Sequence, residues 1–119
     1  MPEHIYISKV TGNTGGNMVN AREEFLEETK SRDILCSRIT RGDDYGDDRR
    51  TYILKKGFSE KDFSDFIKTL DIEYDDGYGG QNLFGYIWYK DGTWSERGVY
   101  DGSEWWSYKT CPEVNKECL

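Results

Sequence analysis

Histidine is nearly absent from this chain, with His4 the one example, and the three cysteines, Cys36, Cys111 and Cys118, stand far apart. No pair of them has the C-x₂₋₄-C spacing of a structural zinc site. Catalysis needs a nucleophile with a base and an orienting group, or a metal, and one histidine beside the N-terminus supplies neither. The expectation is a non-enzymatic protein with no cofactor and no metal. Long apolar runs are also missing, so no membrane-spanning helix is expected. The segment MPEHIYISKV lacks the basic and apolar regions of a signal peptide. Unpaired cysteines then suit a reducing, cytoplasmic location. Aliphatic side chains are scarce too. Apolar residues make up 35% of the chain and aromatics alone 15%, so the core must rest on rings.

Charge is plentiful but uneven. The net charge is −7 over 119 residues. Residues 1–70 carry 13 acids and 12 bases, whereas residues 71–119 carry 10 acids and 4 bases. A net-negative chain does not attract phosphate backbones by bulk charge, so direct nucleic-acid binding is not expected. A protein partner with a basic surface fits better. The length suits one domain over residues 1–119 with a modest core.

The aromatic residues concentrate in LFGYIWYKDGTWSERGVYDGSEWWSYKT, residues 83–110, which holds all four tryptophans. Asp91-Gly92 and Asp101-Gly102 punctuate it, and Asp-Gly is a strong signal for a type I′ hairpin turn. The stretch reads as a three-stranded antiparallel meander, about 83–90, 93–100 and 103–110. Alternation places Phe84, Tyr86 and Trp88 on one face of its first strand. Rings also occur on the opposite faces, so one side of the meander can cover a core while the other stays open. Gly85 and Gly98 leave space for rings to stack across the strands.

Upstream, His4–Val10 alternates like a strand, and residues 11–17 read as a glycine-rich loop without P-loop spacing. Asn20 with Glu23 forms a capping-box pattern for a helix over about 21–31. Its apolar stripe is Ala21, Phe25, Leu26 and Thr29, opposite a row of glutamates, Glu23, Glu24, Glu27 and Glu28. That row reads as a solvated face or an acidic docking strip. Strands follow at 34–41 and 49–56, joined by a loop with four aspartates that does not match an EF-hand. Ser59 caps a second helix, with a Phe58–Phe63 staple and a face of Phe63, Phe66, Ile67 and Leu70 that belongs in the core. Residues 71–74 read as a short strand with Asp71, Glu73 and Asp75 sharing one face, followed by Asp76 in a loop. The carboxylates could hold Mg²⁺ or Ca²⁺, or form a solvated polar side. After Pro112 the tail is short, polar and frayed.

The segment from Asp71 to Pro112, above all DGTWSERGVYDGSEWWSYKTCPE, resembles a C-terminal segment of small bacteriophage-encoded proteins of unknown function. The likeness covers about a third of the chain and brings no catalytic residues with it. It implies a phage or prophage setting. Small acidic proteins there act as inhibitors of host machinery, anti-CRISPR and other anti-defence proteins among them.

The expected fold is therefore α+β: an antiparallel sheet with a C-terminal meander and two helices, one packed on a sheet face. The expected function is blocking a basic surface of a host protein or nucleoprotein. Asp71, Glu73, Asp75, Asp76, Asp91, Asp101 and Glu104 would steer the encounter, and Trp94, Tyr100, Trp105 and Trp106 would anchor it. Two alternatives stand beside it. One is an immunity protein or antitoxin that neutralises a basic toxin, and the other is a small ligand- or metal-binding module.

Overall fold

The computed structural model describes residues 18–42, 49–75 and 80–119. The strand expected at 4–10, the loop at 11–17, the aspartate-rich tip at 43–48 and Asp76 lie outside the described residues. The fold is α+β. A five-stranded antiparallel sheet has the order β3-β2-β5-β6-β7, and β1 pairs antiparallel with β4 in a separate two-stranded ribbon.

Strand β1 is Met18–Asn20, which the sequence pattern did not suggest, and it leads directly into α1, Ala21–Thr29. Asn20 caps the helix as expected, its side chain accepting from the Glu23 backbone N–H. The reciprocal half of the expected box is replaced, because the Glu23 carboxylate accepts from Arg22 instead. Strands β2, Ile34–Arg41, and β3, Arg50–Leu54, form the expected hairpin arms. Helix α2, Glu60–Thr69, starts on a complete capping box between Ser59 and Asp62. Phe58 and Phe63 stack at 5.8 Å between centroids, so the hydrophobic staple is present. Strand β4, Glu73–Asp75, then returns to β1.

The meander is β5, Leu83–Tyr89, β6, Trp94–Tyr100, and β7, Ser103–Lys109. Its two turns differ. At the second, Asp101 and Gly102 both take positive φ, 51° and 87°, as a type I′ turn requires. At the first, only Gly92 does so, at 90°. Gly92 N–H donates to Tyr89 C=O and Tyr89 N–H to Thr93 C=O, which is a three-residue loop closed by a glycine bulge rather than type I′. The Asp91 carboxylate supports that loop by accepting from both the backbone N–H and the hydroxyl of Thr93. Those bonds hold its pKa below the usual carboxylate range.

Both helices pack on one side of the large sheet. The core joins Phe25 of α1, Phe66 of α2, Leu70 at the C-cap of α2, and Ile39, Leu54, Leu83, Ile87 and Tyr89 of the sheet. Phe25 meets Phe66 and Trp106 edge-on at 5.4 and 6.4 Å, so aromatic contacts join the two helices to β7. Gly85 allows β2 and β5 to close up. A Cβ there would lie 2.2 Å from the Arg38 carbonyl oxygen, and its φ is 143°. Its role is backbone approach, not the ring stacking expected for it. No described helix is long and apolar enough to cross a membrane.

Candidate binding face

With both helices on one side, alternation fixes what the other side presents. Cross-strand pairing sets Arg38 beside Tyr86 and Tyr86 beside Glu96. It also sets Cys36 beside Trp88, Trp88 beside Trp94, and Trp94 beside Lys109. Gly98 faces Trp105, and Tyr100 faces Ser103. This side is rich in rings that remain in water: Tyr86 is 45% exposed, Trp88 37%, Trp105 42% and Tyr100 77%. Ile53 on β3 extends the apolar surface.

The rings are held in place. Tyr86 and Trp88, two residues apart, stack at 5.3 Å between centroids. The Trp94 indole N–H donates to the Glu96 carboxylate at 2.9 Å. The Trp105 ring lies across Gly98, where an added Cβ would come within 3.0 Å of its Cε2 and Nε1. The Arg49 guanidinium sits over Phe84 at 5.4 Å. Arg38 and Lys109 are exposed on this face and make no ion pair among the described residues.

The packed side of the same strands carries buried charge. The Arg97 side chain is 1% exposed and its Nη2 donates to the Glu104 carboxylate at 2.7 Å and to the Tyr74 hydroxyl at 2.8 Å. Glu104 also accepts from the backbone N–H groups of Asn82 and Leu83 at 2.7 and 3.0 Å. The Tyr74 hydroxyl donates to Glu24, whose carboxylate lies 3.6 Å from Arg97 Nη1. One turn further along α1, Glu28 accepts from Ser95 Oγ at 2.6 Å, and Ser95 is also bonded to the Tyr89 hydroxyl at 2.7 Å. Arg32 completes this second cluster, lying 3.4 Å from the Glu28 carboxylate and 3.9 Å above the Tyr108 ring. The expected row of glutamates therefore splits. Glu24 and Glu28 reach inward to β6, while Glu23 and Glu27 pair with their helix neighbours Arg22 and Lys30.

Burial pushes the Tyr74 phenol far above its ordinary pKa, and it raises Tyr89 as well. Burial works against the Arg97 charge, but Tyr74, Glu24 and Glu104 outweigh it and raise the Arg97 pKa. Arg97 Nε and Trp106 Nε1 are buried without a hydrogen-bond partner among the described residues. Arg97 Nη1 has its ion pair to Glu24 but no hydrogen bond.

The residues expected to bind a partner do not form one patch. Trp94, Tyr100 and Trp105 lie on the open face. Trp106 does not, because it pairs with Arg97 on the packed side and meets Phe25 there. Glu104, expected to steer a partner from the surface, is 2% exposed and neutralised by Arg97. Asp91 and Asp101 sit at turns at opposite ends of β6. Asp71, Glu73 and Asp75 belong to or adjoin the β1–β4 ribbon, whose Tyr74 reaches the packed side of β6. They are thus on the far side of the sheet from the exposed tryptophans, and Asp71 accepts from the Asn20 side chain. Among the described residues no group of three or more His, Cys, Asp or Glu is placed to hold a metal ion. The face also includes Arg38 and Lys109, which were not among the expected binding residues, and Tyr86 and Trp88, which alternation places together on one strand face but which were not among the expected anchors. The turn at Asp101-Gly102 fixes the β6–β7 register, which sets Trp105 beside Gly98 on the open face and Trp106 beside Arg97 on the packed side.

The arrangement defines an α+β domain with one helix-covered and one open aromatic sheet face. Comparison with protein-family models, curated proteins and solved structures finds no match for this chain.

Proposed function

We propose that this chain is a non-enzymatic binding protein that acts by occupying a surface of a host protein or nucleoprotein, with the open face of β5–β7 as its contact. The observation that carries this reading is the set of rings, Tyr86, Trp88, Tyr100 and Trp105, exposed together on a sheet side that no described helix covers. Rigid aromatic side chains of this kind are the usual anchors of interfaces, and contiguous exposed apolar surface marks an interaction site. The negative net charge contributes long-range attraction to basic protein regions of the partner, while the contact on the open face is itself aromatic. The role of phage-encoded inhibitor follows from the resemblance of residues 71–112.

The test is capture from a bacterial host lysate with the wild-type chain, with Tyr86→Ser/Trp105→Ser, and with Asp71→Asn/Glu73→Gln. A partner retained by the wild type and the acid variant, and lost by the ring variant, is the expected result. A partner lost only with the acid variant would move the contact to the opposite side and overturn the assignment of the face.

A further inference from the structure

We infer that the open face takes single-stranded nucleic acid, with bases stacked on its rings and phosphates held by Arg38 and Lys109. The inference rests on the binding reading above and names the occupant as the strand of a nucleoprotein. Net charge speaks against nucleic acid only if charge is spread evenly, and here it is not. Arg38 and Lys109 are exposed on the face and unpaired among the described residues, and Arg49 covers Phe84 at its margin. The carboxylate on this face, Glu96, is engaged by the Trp94 indole N–H. Among the other described acids, Glu104 is neutralised in the interior, Asp71 and Glu73 are on the far side, and Asp91 and Asp101 sit at the turns that end β6. Among the described residues of the face, the two cations Arg38 and Lys109 stand against the one carboxylate of Glu96, a balance of +1 where the chain as a whole is −7, and this favours an anionic occupant.

The rings select among anionic occupants. Trp105 lies across Gly98, supported from beneath by the β6 backbone and open above. Tyr86 stands between Arg38 and Glu96 in one cross-strand row, and Trp94 between Trp88 and Lys109 in the next. Each cation thus directly neighbours a ring. Flat rings beside cations match alternating bases and phosphates, because every base offers a π-face and every linkage one charge. A double helix hides its bases and would leave the rings without partners, and an acidic polypeptide would use the cations without needing the rings.

Fluorescence anisotropy with a labelled oligothymidylate of about 15 nucleotides at low salt tests this. Binding is expected, with Trp105→Ser and Tyr86→Ser each weakening it about tenfold, the range of one lost stacking contact. Arg38→Ser and Lys109→Ser should each lower the salt slope by about one. Asp71→Asn/Glu73→Gln should leave affinity unchanged, and thermal melts of every variant should match the wild type. Three outcomes would overturn the inference: no binding by the folded wild type, binding indifferent to both ring substitutions, or competition by polyglutamate equal to that by the oligonucleotide. If the oligonucleotide fails while the ring variant still loses its captured partner, the occupant is wrong and the binding face stands. If the ring variant also keeps its partner, both fall.

Discussion

The two sides of the meander reverse the usual division of side chains. The covered side contains two arginines, three glutamates, a serine and two tyrosine hydroxyls in hydrogen-bonded clusters, while the open side displays tryptophan and tyrosine rings to water. Along β6 the sheet is polar where it is packed, with Ser95 and Arg97, and ringed where it is wet, while the packed side of β5 holds the core residues Leu83, Ile87 and Tyr89. Burying Arg97 and Glu104 together costs desolvation that the ion pair only partly offsets. Its return is geometric: Glu104 holds the N–H groups that start β5, and Arg97 reaches Tyr74 of the ribbon. The interior polar groups fix where the ribbon and α1 sit. The exterior rings do nothing comparable for the fold, which is the reason to assign them to a partner.

Breaking the interior should therefore cost far more stability than stripping the exterior. The largest effect is expected for Glu104→Ala, which leaves two backbone N–H groups buried without their acceptor and the buried Arg97 charge with Glu24, 3.6 Å away, as its remaining carboxylate. A loss of ~3–5 kcal/mol in urea unfolding is expected, and a loss below ~1 kcal/mol would show that the cluster is peripheral. Gly85→Ala comes next, since its φ of 143° disfavours any side chain. It should cost at least ~1–3 kcal/mol by the same measurement, from backbone strain before the clash with β2 is counted.

Tyr74→Phe should cost ~1–3 kcal/mol by removing the hydroxyl between Arg97 and Glu24. It also carries a pH signature. Burial raises the folded pKa of Tyr74 above the unfolded value, so its contribution is complete below about pH 10 and is lost as pH rises beyond that. The urea midpoint of the wild type should fall above that pH, and the variant should show a shallower fall. The smallest stability effect is expected outside: Trp105→Ser and Tyr86→Ser should change stability by no more than ~0.5 kcal/mol. A thermal melt that drops sharply for either would mean the open rings serve the fold and would remove the contrast between the two sides.

What was legible in the sequence was local. The Ser59 cap with its Phe58–Phe63 staple, the stripe of α2 and the two Asp-Gly turns each lie within a few residues, and their elements appear where the pattern puts them. The ribbon was not legible, because β1 has three residues and its partner lies more than fifty positions away. The aromatic content of the candidate face was legible, but its placement was not. Of the rings expected to anchor a partner, Trp94, Tyr100 and Trp105 lie on the open face and Trp106 packs on Phe25, while Glu104, expected as surface charge, is buried. The Asp101-Gly102 turn pairs Val99 with Glu104 and Arg97 with Trp106, which brings Arg97 and Glu104 together on one face. Reading that register would have withdrawn Glu104 and Trp106 from the expected surface. Nothing local marks Glu24 and Glu28 as inward-facing, since their partners on β6 come from far along the chain.

The docking of α1 onto β6 has a consequence in time. Glu28 and Ser95 are 67 residues apart in sequence, and Glu24 and Tyr74 are 50 apart. On the ribosome α1 emerges long before β6 exists, and nine residues are too few to hold a helix alone. The meander, closed by short turns, can form as soon as it is made, so α1 must wait and attach to a finished sheet. The glutamates that later lock into the interior keep the waiting segment hydrated and charged, which makes the same two side chains a guard against premature association and the final clasp of the fold.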